Sequence, residues 1–254
     1  MAVYPELKGR VAVVTGAAQG IGASTVREFA KQHAMVALLD IDEFDAQKLA
    51  HEIKEGGTRA MAVRTDVTDE QSVISAFARV AEEFGGIDIL VNSAGGYGKL
   101  TGVEEMQVEE WDRTVALNMR GTFLSCKHAI PYLKKSKAGR IINVSSISGR
   151  TLFGSTSPAY AASKAGVIQL TRFLAIELGP SGITSNSIAP ITTLTPRVRA
   201  LRTEANIEQI ASQIPLRRLP DPEDHANAMV FLASDSAAYL NGVSLDINGG
   251  RILM

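Results

Sequence analysis

The sequence of 254 residues holds a single cysteine, Cys126, so no intrachain disulfide can form. Its setting in an apolar, helix-patterned run marks it as a small core residue rather than a nucleophile, and this usage fits a reducing compartment. No apolar run approaches the roughly 20 residues that a membrane span needs, so no membrane partner is expected. Segment 1–8 carries Pro5 and Glu6 and no apolar stretch able to serve as a signal-peptide core, and the expected location is the cytoplasm. An excess of either charge is also missing. The 26 Lys and Arg against 27 Asp and Glu leave a formal net charge of −1, with basic residues scattered rather than striped, which removes nucleic acid as an expected partner. His33, His51, His128 and His225 are dispersed and form no zinc pattern, and Asp40, Asp42 and Asp45 lack the spacing and turn glycine of an EF-hand, so no catalytic metal is expected. Internal repeats, low-complexity tracts and linkers are absent, which points to one domain over 1–254.

What is present is ordinary for a soluble globular chain, 45% hydrophobic and 21% charged. Short runs rich in Val, Ile and Leu recur between longer segments of helical periodicity. That alternation marks a single doubly wound, Rossmann-like α/β fold, a parallel sheet of about seven strands with helices on both faces. The runs predict strands at 11–15, 35–40, 60–65, 87–92, 140–145, 184–188 and 243–247, and helices at 21–32, 45–55, 69–83, 108–133, 159–178 and 222–233. Residues 192–220 break the alternation, are rich in Arg, Thr and Pro and helical only around 204–214, and are expected to form a substrate lid.

Thr15-Gly16-Ala17-Ala18-Gln19-Gly20-Ile21-Gly22 falls where the first strand gives way to the first helix. Glycines there let the backbone turn tightly and approach a pyrophosphate at the helix N-terminus. The second strand ends in Asp40, where a carboxylate accepts hydrogen bonds from the adenosine ribose hydroxyls. A 2′-phosphate at ~4 Å from it would cost on the order of 4 kcal/mol per unit charge at an effective dielectric near 20. Ile41, Asp42 and Glu43 follow with no cation to offset that, so NAD is the expected cofactor.

Tyr160 and Lys164 stand one helical turn apart and project from one helix face, and Ser145-Ser146 end the fifth strand, where a doubly wound sheet lines its ligand crevice. Interconverting an alcohol and a ketone by hydride transfer needs a group that takes and returns the hydroxyl proton, and a tyrosine titrating near ~10 is too weak a base unaided. An ammonium ~5 Å away stabilises the phenolate by about 3 kcal/mol, or roughly two pKa units, so Tyr160 is expected as acid/base with a lowered pKa, Lys164 as its electrostatic partner and Ser146 as a donor to the substrate oxygen.

Taken in order, the glycine turn, Asp66-Val67, Asn92-Ser93-Ala94-Gly95, Asn118, Ser146, Tyr160-x-x-x-Lys164 and Pro190 resemble the classical short-chain dehydrogenase/reductase family along nearly the whole chain. The resemblance implies that Asn118 joins Ser146, Tyr160 and Lys164 in catalysis through a proton relay, and that Tyr160 and Lys164 also meet the nicotinamide ribose. It implies a cofactor site of Gly16, Gln19, Gly20, Ile21, Gly22, Asp40, Asp66, Val67, Asn92, Ala94, Gly95, Pro190, Ile191 and Thr195. Ser146 is preferred to Ser145 because Ser146-Ile147-Ser148-Gly149 has the family's glycine spacing. Two positions depart from the family pattern: Ser93 replaces an asparagine, and Ile191 replaces the glycine after Pro190, which adds bulk beside the nicotinamide. A homotetramer built on the helices over 108–133 and 159–178 is also implied.

The segments following the fourth to sixth strands offer Tyr97, Ser146, Ser148, Leu152, Phe153, Tyr160 and Ile191 to a substrate, which predicts a small, mostly apolar aryl-alkyl or cyclic secondary alcohol and its ketone. A 3-oxoacyl-thioester reductase using NADPH would share every catalytic residue, and Asp40 stands against it. A dinucleotide-sensing protein without catalysis would have no need of the intact Asn118, Ser146, Tyr160 and Lys164.

Overall fold

Val-, Ile- and Leu-rich runs with no polar face are stable only when both faces are covered, and the computed structural model, which describes residues 2–151 and 156–253, buries them in that way. The strands are β1 (Val11–Thr15), β2 (Met35–Asp40), β3 (Ala60–Arg64), β4 (Ile89–Asn92), β5 (Arg140–Val144), β6 (Thr184–Pro190) and β7 (Ser244–Ile247). All pair in parallel in one sheet of order β3-β2-β1-β4-β5-β6-β7. The order reverses between β1 and β4, which are in register from Ala12↔Ile89 to Thr15↔Asn92, and such a reversal opens a crevice at the strand carboxyl ends.

Around the sheet lie α1 (Gly20–Lys31), α2 (Glu43–Glu55), α3 (Glu70–Phe84), α4 (Val108–Val115), α5 (Gly121–Leu133), α6 (Pro158–Leu178), α7 (Pro196–Leu201), α8 (Glu204–Ser212) and α9 (Pro222–Ala233). One apolar core joins a sheet face to α1, α2 and α9 through Val26, Phe29, Leu49 and Met229, and a second joins the other face to α3, α5 and α6 through Phe77, Leu124, Leu133 and Leu178. Helix starts follow local chemistry: the Asp69 carboxylate accepts the Gln71 N–H to start α3, and Asp221 and Asp224 form a reciprocal capping box ahead of Pro222 in α9.

Two expectations need correction. The continuous helix over 108–133 is interrupted by a π-helical turn, Ala116–Arg120, between α4 and α5. The strand near 87 begins later because Asp88 turns its carboxylate to the Val11 N–H and the Ser136 hydroxyl, although Ile87 is buried. Among the described residues no helix is long and apolar enough to cross a membrane, and no cluster of three metal-ligating side chains occurs.

Candidate active site

The glycine turn is fixed by close approach. Gly16 has φ +64°, and a Cβ there would sit 2.6 Å from the Ala94 Cα, so the turn after β1 packs directly on the backbone after β4. Gln19 precedes α1 without making a side-chain cap bond, which leaves the first-turn N–H groups to the cavity that Gln19, Gly20, Ile21 and Gly22 line. The Asp40 carboxylate ties this turn to the end of β2, with Oδ2 accepting the Ala18 N–H at 2.8 Å and Oδ1 the Asp42 N–H at 2.9 Å.

This cavity, about 390 Å³, is lined by Gly16, Gln19, Gly20, Ile21, Gly22, Asp40, Asp66, Val67, Ala94, Gly95, Tyr160, Lys164 and Thr195, as the sequence pattern led us to expect. Leu117, Ser93, Gly96 and Arg197 line it too. Ser93 and Gly96 were within reach of the sequence pattern, as immediate neighbours of its Ala94-Gly95 pair. Leu117 lies in the π turn, which the sequence pattern does not mark. A dinucleotide suits this lining: uncapped helix N–H groups for its phosphates, the Asp40 carboxylate for a ribose and the Lys164 ammonium deep in the cleft. The sheet also brings Arg64 into register with Asp40 across β2 and β3, a cation that the sequence neighbours of Asp40 do not reveal. Its side chain is exposed and does not line the cavity.

Asn92 does not line the cavity: it is buried beneath it, and its Nδ2 donates to Asn143 Oδ1 at 2.8 Å, tying β4 to β5. Pro190 and Ile191 line a neighbouring cavity instead, about 580 Å³, with Tyr97, Ser146, Ser148 and Tyr160. Ile191 is buried against Ile147, Ile207, Ile214 and Leu219, so its side chain anchors the 192–220 insertion instead of filling the cofactor cleft. Leu152 and Phe153 lie outside the described residues.

Tyr160 is shared by both cavities. Its ring meets Tyr97 edge-on at 4.9 Å between centroids, and the Lys164 Nζ stands 5.6 Å from its centroid. The Lys164 ammonium donates to the Val144 carbonyl at 2.8 Å. Ser146 Oγ accepts the Ser148 N–H at 3.1 Å, leaving its own proton for another acceptor, whereas Ser145 Oγ is spent on the Lys164 carbonyl at 2.9 Å. Gly149 lets this serine turn rest on α6, since a Cβ there would lie 2.5 Å from the Lys164 carbonyl carbon. Asn118, at the π turn, accepts the Gly96 N–H at 3.0 Å and donates to the Gly96 and Thr114 carbonyls at 2.7 and 2.8 Å. It thus holds the loop after β4 beside Lys164, and its carboxamide is fully engaged by backbone.

The electrostatics reverse the sequence expectation for the tyrosine. Although the ring keeps some contact with the cavity, loss of water pushes Tyr160 up to about 12, against a smaller downward pull from its hydrogen bond to Ser146. The same loss of water drives Lys164 down to about 8, which weakens the cation that was to lower its neighbour. Desolvation therefore outweighs the pairwise attraction in the protein's own groups.

A family model described as "Enoyl-(Acyl carrier protein) reductase" matches residues 16–251. The chain is 42% identical over 241 residues to cis-4-hydroxycyclohexanecarboxylate dehydrogenase of Sinomonas cyclohexanicum, covering 95% of this chain and 96% of that one. It is 40% identical over 246 residues to D-threitol dehydrogenase of Mycolicibacterium smegmatis, covering 96% and 93%. The crystal structure of gox2181 superposes with a TM-score of 0.92 at 34% identity, covering 96% of both chains. The chain belongs to the short-chain dehydrogenase/reductase family and is an oxidoreductase. Dehydrogenases of this family generally use a nicotinamide cofactor.

Proposed function

We propose that the protein is an NAD-dependent dehydrogenase that interconverts a small secondary alcohol, on a compact cyclic or aryl-alkyl skeleton, and its ketone. The observation that carries this reading is the position of Tyr160, in the wall between the dinucleotide-shaped cleft and a second cavity that holds Ser146. When bound, the nicotinamide supplies the hydride acceptor for oxidation or the donor for reduction. Ser146, with its oxygen already accepting from Ser148, donates its proton to the substrate oxygen and orients it toward Tyr160. Tyr160, a phenol at neutral pH, gives its proton to the substrate oxygen in reduction and regains one from water; in oxidation the phenol proton must first pass to water, and the phenolate left behind takes the hydroxyl proton. Lys164 places its positive charge beside the phenol, and Asn118 fixes the Gly96 backbone that borders both. The relatives support alcohol substrates by name, one cyclic and one a tetritol. Ile147, Ile191, Val198 and Leu201 in the second cavity favour the apolar skeleton over the polyol.

Tyr160→Phe keeps the ring and removes the ionisable oxygen. Turnover of a cyclic secondary alcohol should fall by about 10²–10⁴-fold, the loss typical of a missing general acid/base, while NADH binding read by fluorescence stays near wild type. Near-normal turnover in that variant would reject the assignment.

A further inference from the structure

The second cavity carries a charge pattern that a neutral alcohol leaves unused. Arg197, Arg202 and Arg251 line it, and no aspartate or glutamate does among the described residues. Elsewhere some arginines meet carboxylates, as Arg27 does with Glu52, Arg150 with Asp246 and Arg218 with Asp224, and others meet backbone carbonyls, as Arg120 and Arg217 do. The three cavity arginines come from two stretches: the first turn and the C-terminal end of α7, and the segment after β7. Arg197 is tethered by Nη2 to the Tyr97 carbonyl at 2.8 Å, and Arg251 by Nη2 to Gln213 Oε1 at 2.5 Å. No ion pair engages Arg202 among the described residues, and unlike Arg197 it does not line the cofactor cleft. Arg197 and Arg202, which no carboxylate pairs among the described residues, give the concave site a positive potential.

We infer that the substrate is an anion, a compact alcohol or ketone bearing a carboxylate that the Arg202 guanidinium receives, with Arg197 adding to the field. The inference rests on the dehydrogenase reading of the same cavity. The guanidinium fork matches a carboxylate with two parallel hydrogen bonds, and the apolar wall of Ile147, Ile191 and Leu201 suits the skeleton that joins this anion to the reacting carbon.

A matched pair tests it: a hydroxycyclohexanecarboxylate and its methyl ester, which share ring and hydroxyl and differ in charge. The acid should exceed the ester in kcat/KM by about tenfold or more, the effect of one well-formed charge-assisted pair. Arg202→Met should cut that ratio to within about twofold and Arg202→Lys should keep part of it, because a point charge replaces the fork. Binding is read separately by titrating cyclohexanecarboxylate, which has no hydroxyl to oxidise, into the NADH-loaded protein, with cyclohexanecarboxamide as the neutral control. An ester turned over as well as the acid, with no binding of cyclohexanecarboxylate, overturns the anion site and leaves the dehydrogenase reading in place. Cyclohexanecarboxylate binding that disappears in Arg202→Met, with neither alcohol turned over, supports the anion site and overturns the alcohol reading. If Arg202→Met weakens NADH binding as much as it weakens the acid, the arginine serves the cofactor and the inference falls.

Discussion

Lys164 and Tyr160 are a buried cation and a half-buried phenol one helical turn apart, and the same loss of water drives both toward their neutral forms. Burial brings Lys164 down to about 8 in the folded chain, against the 10.5 ordinary for a lysine. Below the lower value both states hold the proton and the folded state bears the cost of a buried charge. Between the two values the unfolded chain binds more protons than the folded one, so this group's contribution to stability rises with pH through that window. Lys164→Met removes the group. Its stability relative to wild type should decline by about 2 kcal/mol between about pH 7 and about pH 9.5, and urea unfolding at a series of pH values reads it. A flat difference would mean that Lys164 is well hydrated after all. Tyr160 acts with the opposite sign, since a folded value of about 12, above the 10.0 ordinary for a tyrosine, erodes stability as pH rises through that higher window. The identities of this pair are legible in the sequence because i, i+4 spacing on a helix is a covalent fact. The direction of the tyrosine's shift is not legible, because it depends on how much water the fold removes, and neither is the side-chain direction of Asn92 at the end of β4, which meets Asn143 on the adjacent strand.

At the scale of elements, periodicity locates every strand to within a few residues, and α9 to the residue, because apolar spacing and caps are written locally. The π turn at Ala116–Arg120 is not, since a helix that carries one extra residue keeps nearly the same hydrophobic pattern on both sides. That turn lets Asn118 reach the Gly96 backbone while its own carbonyl accepts the Thr122 hydroxyl at 2.8 Å. The insertion after β6 shows a second kind of illegibility. Its packing comes from Ile207, Ile214 and Leu219 closing on Ile147 and Ile191, a small core assembled from three distant stretches. Ile191, read from sequence as bulk beside the nicotinamide, is therefore the peg that seats this segment. Ile191→Ala should destabilise the protein by about 2–5 kcal/mol, the usual cost of a large-to-small change at a buried isoleucine. It should also raise kcat/KM for substrates one or two carbons bulkier relative to compact ones. Loss of stability with no change in that ratio would separate the peg from the pocket.

The molecule as a whole gathers its chemistry at one end of one sheet: β1 brings the glycine turn, β2 Asp40, β4 the Ala94-Gly95 loop, β5 Ser146, and α6 spans the second cavity with Tyr160 and the first with Lys164. On the outside, Trp111, Phe123, Phe173 and Ile176 leave apolar surface exposed on α4 to α6, the kind of patch that marks an interaction surface. Because a dinucleotide would touch loops from both halves of the sheet, its binding free energy should stabilise the entire fold rather than one corner of it. At a free concentration near 100 times Kd, NAD should add about 2.7 kcal/mol, which for a chain of this length is a rise in Tm of roughly 5–10 °C. NADP places a 2′-phosphate against Asp40, whose two oxygens are already pinned by the Ala18 and Asp42 N–H groups and cannot swing aside. At equal concentration NADP should therefore shift Tm far less. Asp40→Asn removes the charge while its remaining oxygen still accepts one of those N–H bonds, so the variant should narrow the gap chiefly by raising the NADP shift. Arg64, in register with Asp40 on the neighbouring strand, is the group able to reverse this outcome by meeting the phosphate from the sheet edge. An NADP shift equal to or larger than the NAD shift in the wild type, abolished by Arg64→Ala, would assign cofactor choice to Arg64 and refute the role given to Asp40.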